Sequence, residues 1–249
     1  MPLVYDKPES EYHSDTTTLS SSGARELLYS PLRFKTSLST PKAPTAAMNL
    51  GSLTHALILN QPHNFAPHSP ANLKAGKEEV AKIKADGKTP IPQKDWDTAY
   101  VMAEAAHMNT EFVDALSSGQ AEVSAYGTCP ITDVQMRGRF DLLNGNTIWD
   151  VKTAAGLPPS RDTRLQFQLQ SSWYVTLAEL NGIKDPVFKF LVIEKGDEPL
   201  VSIHTVSAMA LALGNERGLR ARNLYQECVA FDSWPAYATT PTIDLEIEE

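Results

Sequence analysis

A mixed α/β fold is predicted for this chain by three features of its residue pattern. Strand-like segments follow one another at residues 121–126, 135–143 and 147–153. A helix-periodic segment at 165–180 comes next and leads into two further strand-like runs at 187–194 and 200–206. Helix-periodic stretches precede and close the series. A chain of 249 residues can bury a sizeable core as one large domain.

Taken in order, residues 19–34 begin Ser-rich and turn helical, with Ala24, Leu27 and Leu28 at helix spacing and Pro31 closing the segment. Residues 48–59 form a compact apolar helix that starts near Asn49, carries His55 and ends before Pro62. Residues 67–92 are Lys-rich, contain Gly and lack a firm period, which predicts a mobile loop or frayed helix. Helical spacing returns at 96–116 through Tyr100, Ala103, Met108, Phe112 and Leu116, and Ser117, Ser118 and Gly119 stop it. After the strands, a last helix is expected at about 208–229. These elements suggest a docking segment with a short helix over 1–40, a main domain over 41–235 and an acidic tail over 236–249.

Composition narrows the function. Apolar residues make up 42% and charged residues 21%, as in a globular protein, and the net charge of −8 excludes a protein that coats nucleic acid with its whole surface. Any nucleic-acid site must be a local basic channel. The two cysteines, Cys129 and Cys228, form no CxxC pair, and the N-terminal residues lack a signal-like apolar core, so a cytoplasmic chain with reduced thiols is expected. No apolar run approaches the roughly 20 residues that span a bilayer.

The chemistry concentrates on the second and third strands. Asn144-Gly145 is a strong hairpin signal, and with those two residues as the loop Arg139 would face Asp150 and Asp141 would face Ile148. Asp141, Asp150, Lys152, Arg137 and Arg139 then share one face, and Phe140, Leu142, Trp149 and Val151 the other. Two diagonal carboxylates can close around one hard cation such as Mg²⁺. Lys152, two residues beyond Asp150, could orient or deprotonate a water there, which together describes a phosphodiester hydrolase. The same spacing also fits an exposed hairpin in which Arg139 and Asp150 form a cross-strand salt bridge worth under about 1 kcal/mol.

The string Arg137-Gly138-Arg139-Phe140-Asp141 followed by Ile148-Trp149-Asp150-Val151-Lys152-Thr153 resembles the PD-(D/E)xK nuclease superfamily. Gln170-Ser171-Ser172-Trp173-Tyr174 resembles the Gln-xxx-Tyr helix of its RecB-like branch, and Gly51-Ser52-Leu53-Thr54-His55 that branch's Gly-xxx-His helix. With Tyr12-His13 and the Leu19-Ser20-Ser21-Ser22 start, the order is most similar to RecE-type (exonuclease VIII) nuclease domains, often carried by phages and prophages. Phe140 stands where the superfamily signature has Pro.

The resemblance implies a restriction-endonuclease-like core, a central mixed sheet flanked by helices. It further implies that His55, Asp141, Asp150 and the main-chain carbonyl of Val151 ligate Mg²⁺, with Mn²⁺ able to substitute, and that Lys152 is catalytic. Gln170 and Tyr174, on one helix face, would contact the substrate phosphate or brace the site. Glu122 is a candidate for a supporting or second-metal role. Without the resemblance, His55 reads as a core histidine and Tyr174 as a packing residue. Arg25, Arg33, Arg137, Arg139, Arg161 and Arg164 could meet DNA phosphates, or else serve only surface charge. The implied activity is a 5′-to-3′ exonuclease on linear duplex DNA that leaves 3′ overhangs for recombination. The implied partners are double-stranded DNA ends, a single-strand annealing protein and further copies of the chain in a ring. A structure-selective endonuclease or a catalytically silent DNA-binding module of the same fold are the alternatives.

Overall fold

A computed structural model describes residues 3–40, 43–156 and 160–237. The chain begins with helix α1 (Glu9–Ser14), a two-residue strand β1 (Leu19–Ser20) and helices α2 (Ser21–Tyr29) and α3 (Pro31–Ser39). Where one segment closed by Pro31 was expected, Pro31 opens a second helix. The side chain of Ser30 accepts the amide of Arg33, and a proline at the first helical position forfeits no intrahelical bond. Leu19, Ala24, Leu27 and Phe34 are buried in the main core.

Helix α4 (Ala46–Ile58) follows, capped by Thr45, and carries His55 in its last turn. The stretch without a firm period, expected as a mobile loop or frayed helix, contains a helix between two short strands. Strand β2 (Phe65–His68) and strand β3 (Thr89–Pro92) pair in parallel and flank helix α5 (Lys74–Ala85). Its weak period reflects a helix that buries little besides Gly76. The helix predicted at 96–116 is two, α6 (Gln93–His107) and α7 (Thr110–Ser118), because the Asn109 side chain caps a new start by accepting the amide of Phe112.

Strands β4 (Gln120–Thr128), β5 (Gln135–Asn144) and β6 (Thr147–Ala154) lead to helix α8 (Arg161–Leu180). Strands β7 (Val187–Glu194) and β8 (Val201–Thr205) and the long helix α9 (Ala208–Phe231) complete the fold. The six-stranded sheet is mixed: β1–β5 and β6–β7 are parallel, whereas β4–β5, β5–β6 and β7–β8 are antiparallel. One face packs Phe140, Phe188, Phe190 and Val192 with Trp173 and Leu177 of α8. The other packs Leu142, Trp149, Val151 and Leu191 with α4, α6 and α7 through Leu53, Met102 and Phe112.

Two details of the hairpin differ from expectation. Gly145 and Asn146, not Asn144 and Gly145, form the loop: Leu143 pairs with Ile148 and Asn144 with Thr147. Gly145 has φ 58°, and a positive φ at the first loop position is what a type II′ turn demands. In addition, Phe140 lies on the α8 side while Leu142 lies on the α4 side with Trp149 and Val151, although residues two apart on a regular strand share a face. The pleat is therefore interrupted at Asp141.

Helices α8 and α9 touch where α9 lacks a side chain. A Cβ on Gly214 would lie 2.0 Å from the Gln168 carbonyl oxygen and 2.6 Å from Ser172 Oγ. Because backbone cannot step aside cheaply, Gly214→Ala is expected to cost about 3 kcal/mol or more. That corresponds to a melting point lower by roughly 6–12 °C for a domain of this size, readable by thermal unfolding. Among the described residues no helix is long and apolar enough to cross a membrane, and Cys129 and Cys228 are free and buried.

Candidate active site

The break in the pleat builds the site. Along one edge of β5, Met136 and Arg137 pair with β1, while Leu142 to Asn144 pair with β6. Asp141 falls in the gap between these partners, and its carboxylate accepts the amide of Val151 at 2.7 Å in place of a ladder bond. On the opposite edge, β4 pairs with β5 through Ala121–Leu142 and Val123–Phe140 and skips Glu122. Glu122 has φ 57°, a left-handed conformation costly for a residue with a Cβ and most often kept at functional sites.

Helices on the two faces of the sheet reach into this gap. From α4, His55 Nε2 lies 2.8 Å from Asp141 Oδ2, and its Nδ1 lies 3.4 Å from Glu122 Oε1. From α8, Gln170 donates to Asp150 Oδ1 at 2.6 Å. Lys152 pairs with the other oxygen of Asp150. Asp150 is 1% exposed. The cluster forms one wall of an open cleft of about 2280 Å³, to which His55, Glu122, Asp141, Lys152, Gln170 and Tyr174 all contribute.

These contacts set the charges. Burial pushes Asp150 up to about 6, with neighbouring Asp141 adding to the effect and Lys152 opposing it. Burial also disfavours charge on Asp141, yet the His55 cation beside it holds its carboxyl below the usual range. For His55 burial opposes protonation, but contact with Asp141, supported by Glu122, pushes it up to about 9. Burial raises the carboxyl of Glu122. The metal-free site is thus a compensated network in which His55 and Lys152 balance the buried carboxylates.

The structure brings together His55, Asp141, Asp150, Val151, Lys152, Gln170, Tyr174 and Glu122. Among the described residues no group of three or more His, Cys, Asp or Glu side chains is already arranged to hold a metal ion. Asp141 is turned to His55 and Asp150 to Lys152 and Gln170. Tyr174 also packs, its ring 5.3 Å from Phe140 and 6.0 Å from Phe188.

The arginines divide differently from expectation. Arg137 and Arg139 are engaged by the N-terminal segment, although Arg139 also lines the cleft. Arg139 donates to the Lys7 carbonyl at 2.7 Å and pairs with Glu122 at 2.5 Å. Arg137 donates to the carbonyls of Asp15 and Thr18. Both guanidinium groups sit over the Tyr12 ring, at 5.3 and 5.4 Å. Through these carbonyl contacts and the Tyr12 ring, the two arginines strap residues 7–18 across β5. Arg25 lines the cleft and donates to Gln166 at 2.8 Å. Arg33 lies over the Tyr29 ring at 5.2 Å, outside the cleft lining. Arg164 is exposed and also outside it. The side chain of Arg161 lies outside the described residues, as does the expected acidic tail from residue 238 onward. Tyr12 and Lys7 were the members sequence reasoning did not place. The only signal for Tyr12 was its neighbourhood to His13 in the motif order.

A family profile described as "PDDEXK-like domain of unknown function (DUF3799)" matches residues 20–243. The chain belongs to this PDDEXK-like family, whose fold is that of the PD-(D/E)xK nucleases. It is similar to the crystal structure of a "Putative exonuclease" from Eubacterium rectale, at a TM-score of 0.70 and 14% identity over 98% of this chain and 96% of that one. A second solved structure, SSO0001, aligns at a TM-score of 0.31 and 13% identity over 76% of this chain and 90% of that one. No curated protein matches the sequence.

Proposed function

We propose that this protein is a divalent-metal-dependent deoxyribonuclease, an exonuclease of RecE type that hydrolyses linear duplex DNA from the 5′ end and leaves a 3′ overhang. The observation that carries the reading is the meeting of His55, Asp141, Lys152 and Gln170 on the wall of an open cleft, at one interruption of the sheet, with Asp150 buried directly behind Lys152 and Gln170. Similarity to the Eubacterium rectale protein supports the exonuclease reading.

The donor set suits a hard cation that tolerates one nitrogen ligand. Burial, with Asp141 beside it, raises the Asp150 carboxyl to about 6, and a cation held between the two carboxylates would favour their charged forms. Asp141, Asp150, His55 and the Val151 carbonyl would hold Mg²⁺ or Mn²⁺ once the His55–Asp141 and Lys152–Asp150 pairs open. When bound, the ion supplies Lewis acidity at a phosphate oxygen and lowers the proton affinity of a water. Lys152, released from Asp150, presents its ammonium to the attacking water or the developing phosphate charge. Gln170 fixes the orientation of Asp150 and so ties α8 to the site. The proposal includes cytoplasmic action in recombination, phage or prophage origin, delivery of the overhang to a single-strand annealing protein, and assembly as a ring. A ring would confine the basic surface to an inner wall and so reconcile DNA binding with a net charge of −8.

Linear duplexes labelled at the 5′ or the 3′ end, incubated with Mg²⁺ or with chelator, test the reading. The expected result is metal-dependent early release of the 5′ label with closed circular duplex untouched. Cutting of the circle would replace the exonuclease by a structure-selective endonuclease. Binding without cleavage under any divalent metal would leave a silent module.

A further inference from the structure

The excursion β2–α5–β3 carries positive charge against the trend of the chain. Residues 74–88 hold Lys74, Lys77, Lys82, Lys84 and Lys88 against Glu78, Glu79 and Asp86, in a protein of net charge −8. All five lysines are exposed. Two of the acids are engaged: Glu79 accepts the amide of Ser69 at 2.7 Å, and Glu78 lies 3.8 Å from Lys74. Lys77, Lys82, Lys84 and Lys88 have no ion-pair partner among the described residues.

The lobe is firmly seated and adjoins the cleft. A Cβ on Gly76 would lie 2.3 Å from the Pro70 carbonyl oxygen, so α5 is packed tightly at its start. At its other end Asn64 donates to the Gly87 carbonyl at 2.7 Å and accepts the amide of Thr89 at 2.8 Å. Asn64, Phe65 and Thr89 line the cleft. Lys88 thus precedes a cleft residue, and Lys82 and Lys84 occupy the last turn of the helix beside it.

We propose that this lobe is a wing that binds the sugar-phosphate backbone of duplex DNA where the duplex leaves the cleft. Naming the polyanion as DNA rests on the nuclease reading above. Arg137 and Arg139 are engaged by the N-terminal segment, and the lobe offers the phosphates a further, unpaired group of cations continuous with the cleft rim. Lysine suits the task. Its flexible point charge neutralises phosphates by displacing counterions without reading base edges, which serves sequence-independent binding.

The test is the salt dependence of binding to a blunt duplex oligonucleotide by fluorescence anisotropy in chelator, comparing the wild type with the triple variant Lys82→Ala, Lys84→Ala, Lys88→Ala. The magnitude of the slope of log affinity against log salt is expected to fall by roughly 2 to 3, about 0.9 for each phosphate that the variant leaves unneutralised, with thermal unfolding unchanged. An unchanged slope overturns the wing, as does a wild type that binds no duplex. A lysine-dependent slope in a wild type that cuts nothing with Mg²⁺ or Mn²⁺ would support the wing and remove the nuclease reading alone.

Discussion

In a duplex-cleavage assay Asp141→Asn and Asp150→Asn are each expected to lower the rate by about a thousandfold or more. The amide keeps the volume but removes the charge that would hold the metal, and losing several kcal/mol of charge stabilisation is worth three or more powers of ten. The two variants should part in stability. Asp150 titrates at about 6, above the ordinary carboxylate value of 3.8. Its contribution to stability is therefore intact below about pH 4 and lost as pH rises through about 6. Near neutral pH, Asp150→Asn removes this burden and should stabilise the metal-free fold on the order of 1 kcal/mol, while Gln170 can still donate to the amide oxygen. Asp141 is shifted the other way by its ion pair with His55, so Asp141→Asn should destabilise the fold at the same pH. Chemical denaturation measures the difference. Retained cleavage in either variant would remove that residue from the active site.

The second large effect belongs to His55. As a ligand it must be a neutral imidazole, but in the metal-free protein it is held up at about 9. Binding of Mn²⁺ must therefore expel a proton, and affinity should climb by up to about tenfold per pH unit between about 6.5 and 9. An ordinary histidine would place the threshold near 6.5, and the Asp141 contact moves it upward. The ion pair itself stabilises the metal-free fold below about pH 6.5, and that stabilisation is lost as pH rises through about 9. His55→Ala should weaken Mn²⁺ binding, reduce cleavage and flatten both pH dependences. Calorimetry of Mn²⁺ binding across this window decides: a variant with wild-type affinity and slope would make His55 a packing residue.

Much of this site was legible because its chemistry lies close together in sequence. Asp141, Asp150 and Lys152 flank one hairpin, and Gln170 and Tyr174 lie on the helix that follows, so strand and helix periods suffice to gather them. Other features were hidden because they depend on tertiary choices. The loop lies one residue later, on Gly145 and Asn146, since both placements satisfy the turn, and the structure's tertiary contacts include Asn144 donating to Ala115 and Ser118 and Asn146 to Asp185. No pattern announces that Glu122 takes a positive φ, or that the pleat breaks at Asp141. Arg137 and Arg139 looked like phosphate ligands because a charged strand face is ambiguous until its neighbour is known. That neighbour, residues 7–18, lies more than a hundred positions away.

The substitution of a side chain for a strand at Asp141 ties the backbone to the chemistry. In a regular sheet the amide of Val151 would be protected by its neighbouring chain and would report only on global unfolding. Here it donates to the Asp141 carboxylate, a proposed metal ligand, so exchange of that one proton would change if a metal claimed the carboxylate. Under the metal-dependent reading proposed above, that one main-chain proton would be an isotopic reporter of whether the site is loaded.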